Sequence, residues 1–398
     1  MINKEYSPFS PGNPVPVELF VGRSPQLEEA LKYIGQASFG KHENVFLEGE
    51  RGIGKSSLAS FLRYWVISKK AFLGIHVFLG GVSTLEEMVR RIFDQVLKEC
   101  NDQPWFKRIS QFFGGHIQQF GLFGISVGFR PPQTQLEQLV RQFPDALNNL
   151  VGKIKPEKKG LFIALDDING LADKKEFANW YKSCVDEIAT HYKEFPVFIM
   201  PIGLPERRDA LSSLQPSLMR VFRVVQIEKL IDDEVKSFLS KAFDKAGRKV
   251  KAKAMDLMVK YSSGLPILMH EIGDATFWGD EDGTISEEDA ISGILAAAEV
   301  IGRKYLDPKL YRTVRSERYR SILRKFADLP VSRYFTKSHV EATLNEKEKK
   351  VFHNFLRKLR ELVIIEADLE RGRGAYRFVN ELYPVYLNME ARLHKSKR

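Results

Sequence analysis

The stretch from Val45 to Leu58, VFLEGERGIGKSSL, constrains this chain more than any other. An apolar run, Val45-Phe46-Leu47, enters Gly49-Glu50-Arg51-Gly52-Ile53-Gly54-Lys55-Ser56. The segment from Ser57 to Lys69 then places Leu58, Leu62, Trp65 and Val66 at helical spacing. Strand, glycine loop and helix in this order give the spacing G-x-x-x-x-G-K-[ST] its meaning. Glycines let the backbone curl until successive N–H groups face inward as an anion nest. The first turn of the next helix adds its own free N–H groups. Gly49, Gly52, Ile53, Gly54 and Ser57 are therefore candidates to hold phosphates, with Lys55 reaching the β- and γ-phosphates. The Ser56 hydroxyl is the candidate Mg²⁺ ligand. The expectation is a site for ATP and Mg²⁺.

A second signal lies 111 residues after Lys55, in Leu161-Phe162-Ile163-Ala164-Leu165-Asp166-Asp167. A continuous apolar run reads as a strand buried on both faces of a parallel sheet. It ends in two carboxylates, at the carboxyl edge where such sheets bind ligands. Asp166 is the candidate to hold Mg²⁺, directly or through water, and Asp167 to orient or deprotonate the attacking water.

The 398 residues suggest two or three domains, and 43% hydrophobic with 28% charged residues is globular composition. No apolar run is long enough to span a membrane, and the N-terminal residues lack a signal-peptide core. Cys100 and Cys184 lie far apart, without metal spacing or a disulfide framework. The expectation is a cytoplasmic protein with no membrane partner. From Arg303 onward there are 24 Lys and Arg against 12 Asp and Glu, whereas the preceding residues hold 37 against 39. The net charge of +10 thus belongs to the C-terminal quarter, which suggests a polyanionic partner.

Phe20-Val21-Gly22-Arg23 ahead of the glycine loop, and Gly264-Leu265-Pro266 well after it, resemble motifs of the AAA+ and STAND superfamily of ATPases, archaeal replication-initiator-like ATPases in particular. Phe20-Val21-Gly22-Arg23 precedes the glycine loop, and the resemblance implies that Val21, Gly22 and Arg23 lie against adenine. Arg220, in Leu218-Met219-Arg220-Val221-Phe222-Arg223, resembles the arginine that reaches a neighbouring subunit's γ-phosphate, with Arg223 as the second choice. Either implies a homo-oligomer. Arg207 and Arg208, after the strand Pro196 to Ile202, are candidate sensors or plain surface arginines. Gly264-Leu265-Pro266 resembles the G-x-P element of helical lids, which implies that Pro266 covers the base. Ordinary AAA+ proteins place an arginine near Ile267, and its absence favours the STAND or initiator side. His270 reads as a packed core histidine or, less favoured, a group facing the nucleotide.

The C-terminal pattern of three helices and a strand pair joined by Glu370-Arg371-Gly372-Arg373-Gly374 resembles a winged helix-turn-helix. Arg357 and Lys358 on its third helix, with Arg371 and Arg373 in the turn, are the candidate nucleic-acid contacts. The expected organisation is an extended segment over 1–16, a P-loop α/β core with an AAA+-like parallel sheet over 17–230, an all-α lid and linker over 231–302, and a basic winged-helix domain over 303–398. Residues 105–132 read as an inserted β-hairpin, either a packed subdomain or a contact with DNA or another subunit. The expected function is an ATP-hydrolysing, nucleotide-driven switch that binds double-stranded DNA. The alternative is a signalling or phage-defence switch whose winged helix grips a protein partner.

Overall fold

Three strands with no exposed residue lie side by side at the middle of a five-stranded parallel sheet: β1 (Asn44–Gly49), β5 (Gly160–Asp166) and β6 (Val197–Gly203). Their near-continuous apolar sequences follow from helices covering both faces. The computed structural model describes residues 5–114, 117–120, 126–313 and 316–396. These separate into two compact units, Pro16–Glu228 and the residues before Pro16 together with those from Lys229 onward.

In the first unit, α1 (Ser24–Ser38) precedes β1, and α2 (Lys55–Lys69) follows it. Next come β2 (Phe72–Phe78) and α3 (Leu85–Cys100), whose Met88, Val89, Ile92, Phe93 and Val96 are buried. The insertion contains α4 (Phe106–Phe113) and an antiparallel pair, β3 (Ile117–Phe120) and β4 (Ser126–Phe129). Gly115, Gly121, Gly124 and Ile125, part of the expected hairpin, lie outside the described residues. Phe129 is buried against Phe93 and Phe113, and its N–H donates to Asp94 at 2.9 Å. α5 (Gln133–Arg141) and α6 (Phe143–Ile154) break at Gln142, where Pro144 opens the new helix. After β5 come α7 (Lys175–His191), β6, α8 (Pro205–Leu214), the single turn α9 (Leu218–Val221) and β7 (Phe222–Ile227). The strand order is β2-β5-β6-β1-β7. Glu48 pairs in register with Gly203, and Asp166 with both Ile202 and Phe78, so four strands end level at one carboxyl edge.

The second unit begins with α10 (Asp232–Lys245), β8 (Lys249–Val250), α11 (Ala252–Ser262), α12 (Pro266–Gly279), β9 (Thr284–Ile285) and α13 (Glu287–Ile301). The acidic stretch after Trp278 is a built turn. Asp280 is fully buried, pairs with Arg248 at 3.1 Å and accepts from Gly283 N at 2.9 Å. Residues 302–306 form a π-helical turn against Tyr386, leading to α14 (Asp307–Thr313). Then follow α15 (Glu317–Asp328), β10 (Tyr334–Thr336), α16 (Lys337–Glu341), α17 (Glu346–Glu361), β11 (Ile365–Ala367), β12 (Ala375–Phe378) and α18 (Leu382–Ser396). The last three strands form an antiparallel sheet with β12 central, and α18 packs on α13 and α15. Phe9, from the proline-rich start of the chain, sits edge-on to Phe238 and Phe243 and is 4% exposed. No helix among the described residues is long and apolar enough to cross a membrane.

Candidate nucleotide site

The glycine loop is a tight crossing from β1 to α2. Gly52 and Gly54 stand at φ 78° and 98°, which an L side chain would strain, and Gly54 is the residue that caps α2. A Cβ at Gly49 would meet the Ile227 carbonyl at 2.9 Å. Lys55 starts the helix and donates from Nζ to the carbonyls of Gly49 at 2.8 Å and Glu50 at 2.7 Å. Burial lowers its pKa, and the charges of Asp166, Asp167 and Glu206 oppose that shift. The fold thus brings the lysine of the loop and the two carboxylates at the end of β5, Asp166 and Asp167, into one electrostatic field. Ser56 and Ser57 occupy the same first turn.

Asp166 is 4% exposed, and its Oδ2 accepts from His76 Nε2 on β2 at 2.9 Å. His76 Nδ1 lies 3.2 Å from Ser60 Oγ on α2, and Phe78 stacks on the ring. Asp167 stands at φ 62°, ψ 58°, a left-handed position that Asp tolerates better than most side chains. Asn169 Nδ2 donates to its carboxylate. Gly80 leaves room for the other oxygen, since a Cβ there would sit 3.2 Å from Asp167 Oδ2.

Arg23 is almost wholly buried beside the loop. It donates from Nη2 to the Ile53 carbonyl at 2.8 Å and from Nη1 to the Glu228 carbonyl. Gly22 and Arg23 are consecutive left-handed residues, which turn the chain out of Val21 and into α1. Arg208 reaches Glu48, a buried β1 residue, at 3.2 Å and Asp209 at 2.9 Å. Desolvation raises the Glu48 pKa against the pull of Arg208. Arg207 lies 3.7 Å from Asp173.

The fold does not bring Arg220 to this edge. β7 runs parallel to β1 with Phe222 beside Asn44 and Ile227 beside Gly49. Arg220 stands two residues before β7, so it sits at the opposite end of the strands, roughly 17 Å away along β1. Arg223 is exposed at the same end and lies 3.9 Å from Glu43.

In the second unit, Pro266 opens α12 after left-handed Ser263 and Gly264. His270 is buried, accepts from Ser10 N at 3.0 Å and lies edge-on to Phe238. Burial lowers its pKa to about 4. Arg357 is exposed, 3.9 Å from Glu361, and Lys358 pairs with the same carboxylate at 3.0 Å. Arg371 stacks 3.7 Å above the Tyr334 ring and pairs with Asp368 at 3.4 Å. Arg373 is exposed in the β11–β12 turn.

Sequence reasoning did not single out His76, Glu48 or Asn169. The signal was present for the first two, each a polar residue inside an otherwise apolar strand. Their partners come from neighbouring strands and helices, which the sequence alone does not place.

Residues 19–178 match the AAA ATPase domain family. An uncharacterised HTH-type transcriptional regulator of Methanocaldococcus jannaschii is 22% identical over 245 residues, covering 58% of this chain and 55% of its own. The chain therefore spans about half the length of that curated relative. The fold is similar to a Walker-type ATPase of Pyrococcus abyssi (TM-score 0.56, 16% identity, 92% of this chain and 96% of that one). It is also similar to the ORC2 protein of Aeropyrum pernix, solved with ADPNP and ADP (TM-score 0.58, 12% identity, 100% and 98%). Residues 19–178 thus carry an AAA-type ATPase domain, in a chain whose fold is similar to that of these two solved proteins.

Proposed function

We propose that this ATPase is a nucleotide-driven switch in which the state of the P-loop governs double-stranded DNA binding by the C-terminal elements. The observation that supports it is the joint placement of Lys55, Asp166 and Asp167 at one sheet edge, in a chain whose positive charge is concentrated elsewhere. Lys55 would exchange a loop carbonyl for the β- and γ-phosphate oxygens, while the N–H groups from Gly52 to Ser57 cradle them. Asp167, held by Asn169, accepts the proton of the attacking water. The donor set fits Mg²⁺, a hard cation that needs few protein oxygens beside phosphate and water. Ser56 would supply its hydroxyl and Asp166 the carboxylate oxygen that His76 leaves open. Bound there, Mg²⁺ would offset charge on the transferring phosphoryl group. Arg23 acts through the Ile53 carbonyl and shapes the loop beside the base.

We read α15, α16, α17 and the β10-β12-β11 sheet as a winged helix-turn-helix. On α17, Lys350, Asn354 and Arg357 are exposed at helical spacing and suit a groove, with Lys358 flanking them. Arg371 and Arg373 in the turn suit phosphates or the minor groove. The HTH-type relative favours DNA over a protein partner.

Steady-state ATP hydrolysis with duplex DNA titrated at fixed low salt tests this. Several-fold stimulation, lost in an Arg371→Ala/Arg373→Ala variant, is expected. A flat response with intact basal turnover would favour a protein-gated switch.

A further inference from the structure

We propose that His76 and Ser60 form a positioning relay that fixes which oxygen of Asp166 faces the catalytic cation. The inference rests on the reading of Asp166 as a Mg²⁺ ligand. β2 and β5 are adjacent and parallel, with His76 beside Ala164, two residues before Asp166 on the same strand face. That register brings His76 Nε2 to 2.9 Å from Asp166 Oδ2. On the other side of the ring, Nδ1 lies 3.2 Å from Ser60 Oγ.

An ionised carboxylate only accepts hydrogen bonds. The contact therefore sets the tautomer: Nε2–H donates to Asp166, Nδ1 is the acceptor and the Ser60 hydroxyl donates to it. Oδ2 is committed, which leaves Oδ1 for the cation. Ser60 follows Ser56 by four residues, so the two hydroxyls stand one turn apart on the same face of α2. The relay thus ties the helix that carries one cation ligand to the strand that carries the other. Phe78 stacks on the imidazole at a centroid distance of 4.4 Å and restricts its rotation. His76 and Asp166 are both at least nine-tenths buried, so neither partner is readily replaced by solvent. Partners that orient a metal ligand in this way commonly change metal affinity or activity ten- to a hundredfold when removed.

Mn²⁺ binding to the full chain in the presence of ADP, followed by electron paramagnetic resonance, reads this without turnover. His76→Leu is expected to weaken Mn²⁺ binding about ten- to a hundredfold while leaving metal-free ADP affinity unchanged. His76→Gln keeps an N–H donor and is expected to recover most of the loss. Ser60→Ala, the mildest change, is expected to weaken Mn²⁺ several-fold and serves if His76→Leu does not fold. Mn²⁺ affinity unchanged in His76→Leu, or equally reduced in His76→Gln, would overturn the relay. Asp166→Asn separates the two levels. If it leaves Mn²⁺ binding intact, the assignment of Asp166 as a ligand fails, and the relay fails with it. If it abolishes binding while His76→Leu does not weaken it, only the relay fails.

Discussion

Arg23 donates from Nη2 to the Ile53 carbonyl at 2.8 Å, from a backbone held at φ 63°. The motif around it resembles one that contacts adenine, yet its guanidinium is spent on two main-chain carbonyls, one inside the glycine loop and one at Glu228. Arg23→Ala leaves both carbonyls short of a charged donor in a buried place, at a cost of about 2–3 kcal/mol. A lower melting temperature and weaker nucleotide binding are expected. Arg23→Lys should restore little, because an ammonium lacks the fork that spans two acceptors.

The N-terminal segment is expected to be an integral part of the second unit. Phe9 packs so closely on α12 that a Cβ at Gly273 would lie 2.2 Å from its ring. Phe9→Ala should cost about 3–5 kcal/mol by analogy with other buried aromatics. Gly273→Ala should destabilise the same contact by forcing the ring aside. Denaturant unfolding of the full chain measures both.

His270 makes stability depend on pH in a definite direction. Its native pKa of about 4 lies below the unfolded value near 6.5, so the unfolded chain binds the proton more readily. There is no penalty above pH 6.5. Stability should fall as pH drops through 6.5 towards 4 and level off below, by about 3 kcal/mol from this residue. Melting temperatures from pH 7.5 to 4.5 should show a shallower slope in His270→Gln, which cannot titrate.

Much of this was legible in the sequence, and the gaps have physical causes. The glycine loop and the Asp166-Asp167 strand end were readable because their chemistry is local: a short spacing and an apolar run. β10 was missed because three residues are too few for a pattern to show. The apolar run of β2 is interrupted by Gly74, where a Cβ would meet the Ile67 and Arg63 side chains at 3.0 and 3.1 Å, so its start carries little strand signal. α18 went unread because Pro384 interrupts the apolar pattern of its first turn. The His76–Asp166 contact spans ninety residues, and it exists only because β2 and β5 are neighbours.

Arg220 should act only on another copy of the chain. The β1–β7 register puts it at the far end of the sheet from its own P-loop. Arg220→Ala and Lys55→Ala are each expected to be inactive alone. Mixing them should restore part of the hydrolysis, since some interfaces then pair an intact loop with an intact arginine. An Arg220→Ala protein that keeps full turnover at all concentrations would exclude the role.

If the residues at this one edge hydrolyse ATP, ATP affinity and steady-state turnover measured in parallel must separate their roles. Lys55→Ala should lose binding and turnover together, because its ammonium holds the phosphates. Asp167→Asn should bind ATP as the unaltered chain does while turnover falls about a hundredfold or more, the signature of a lost general base. An Asp167→Asn variant that hydrolyses ATP at the unaltered rate would rule out Asp167 as the general base and this edge as the catalytic site.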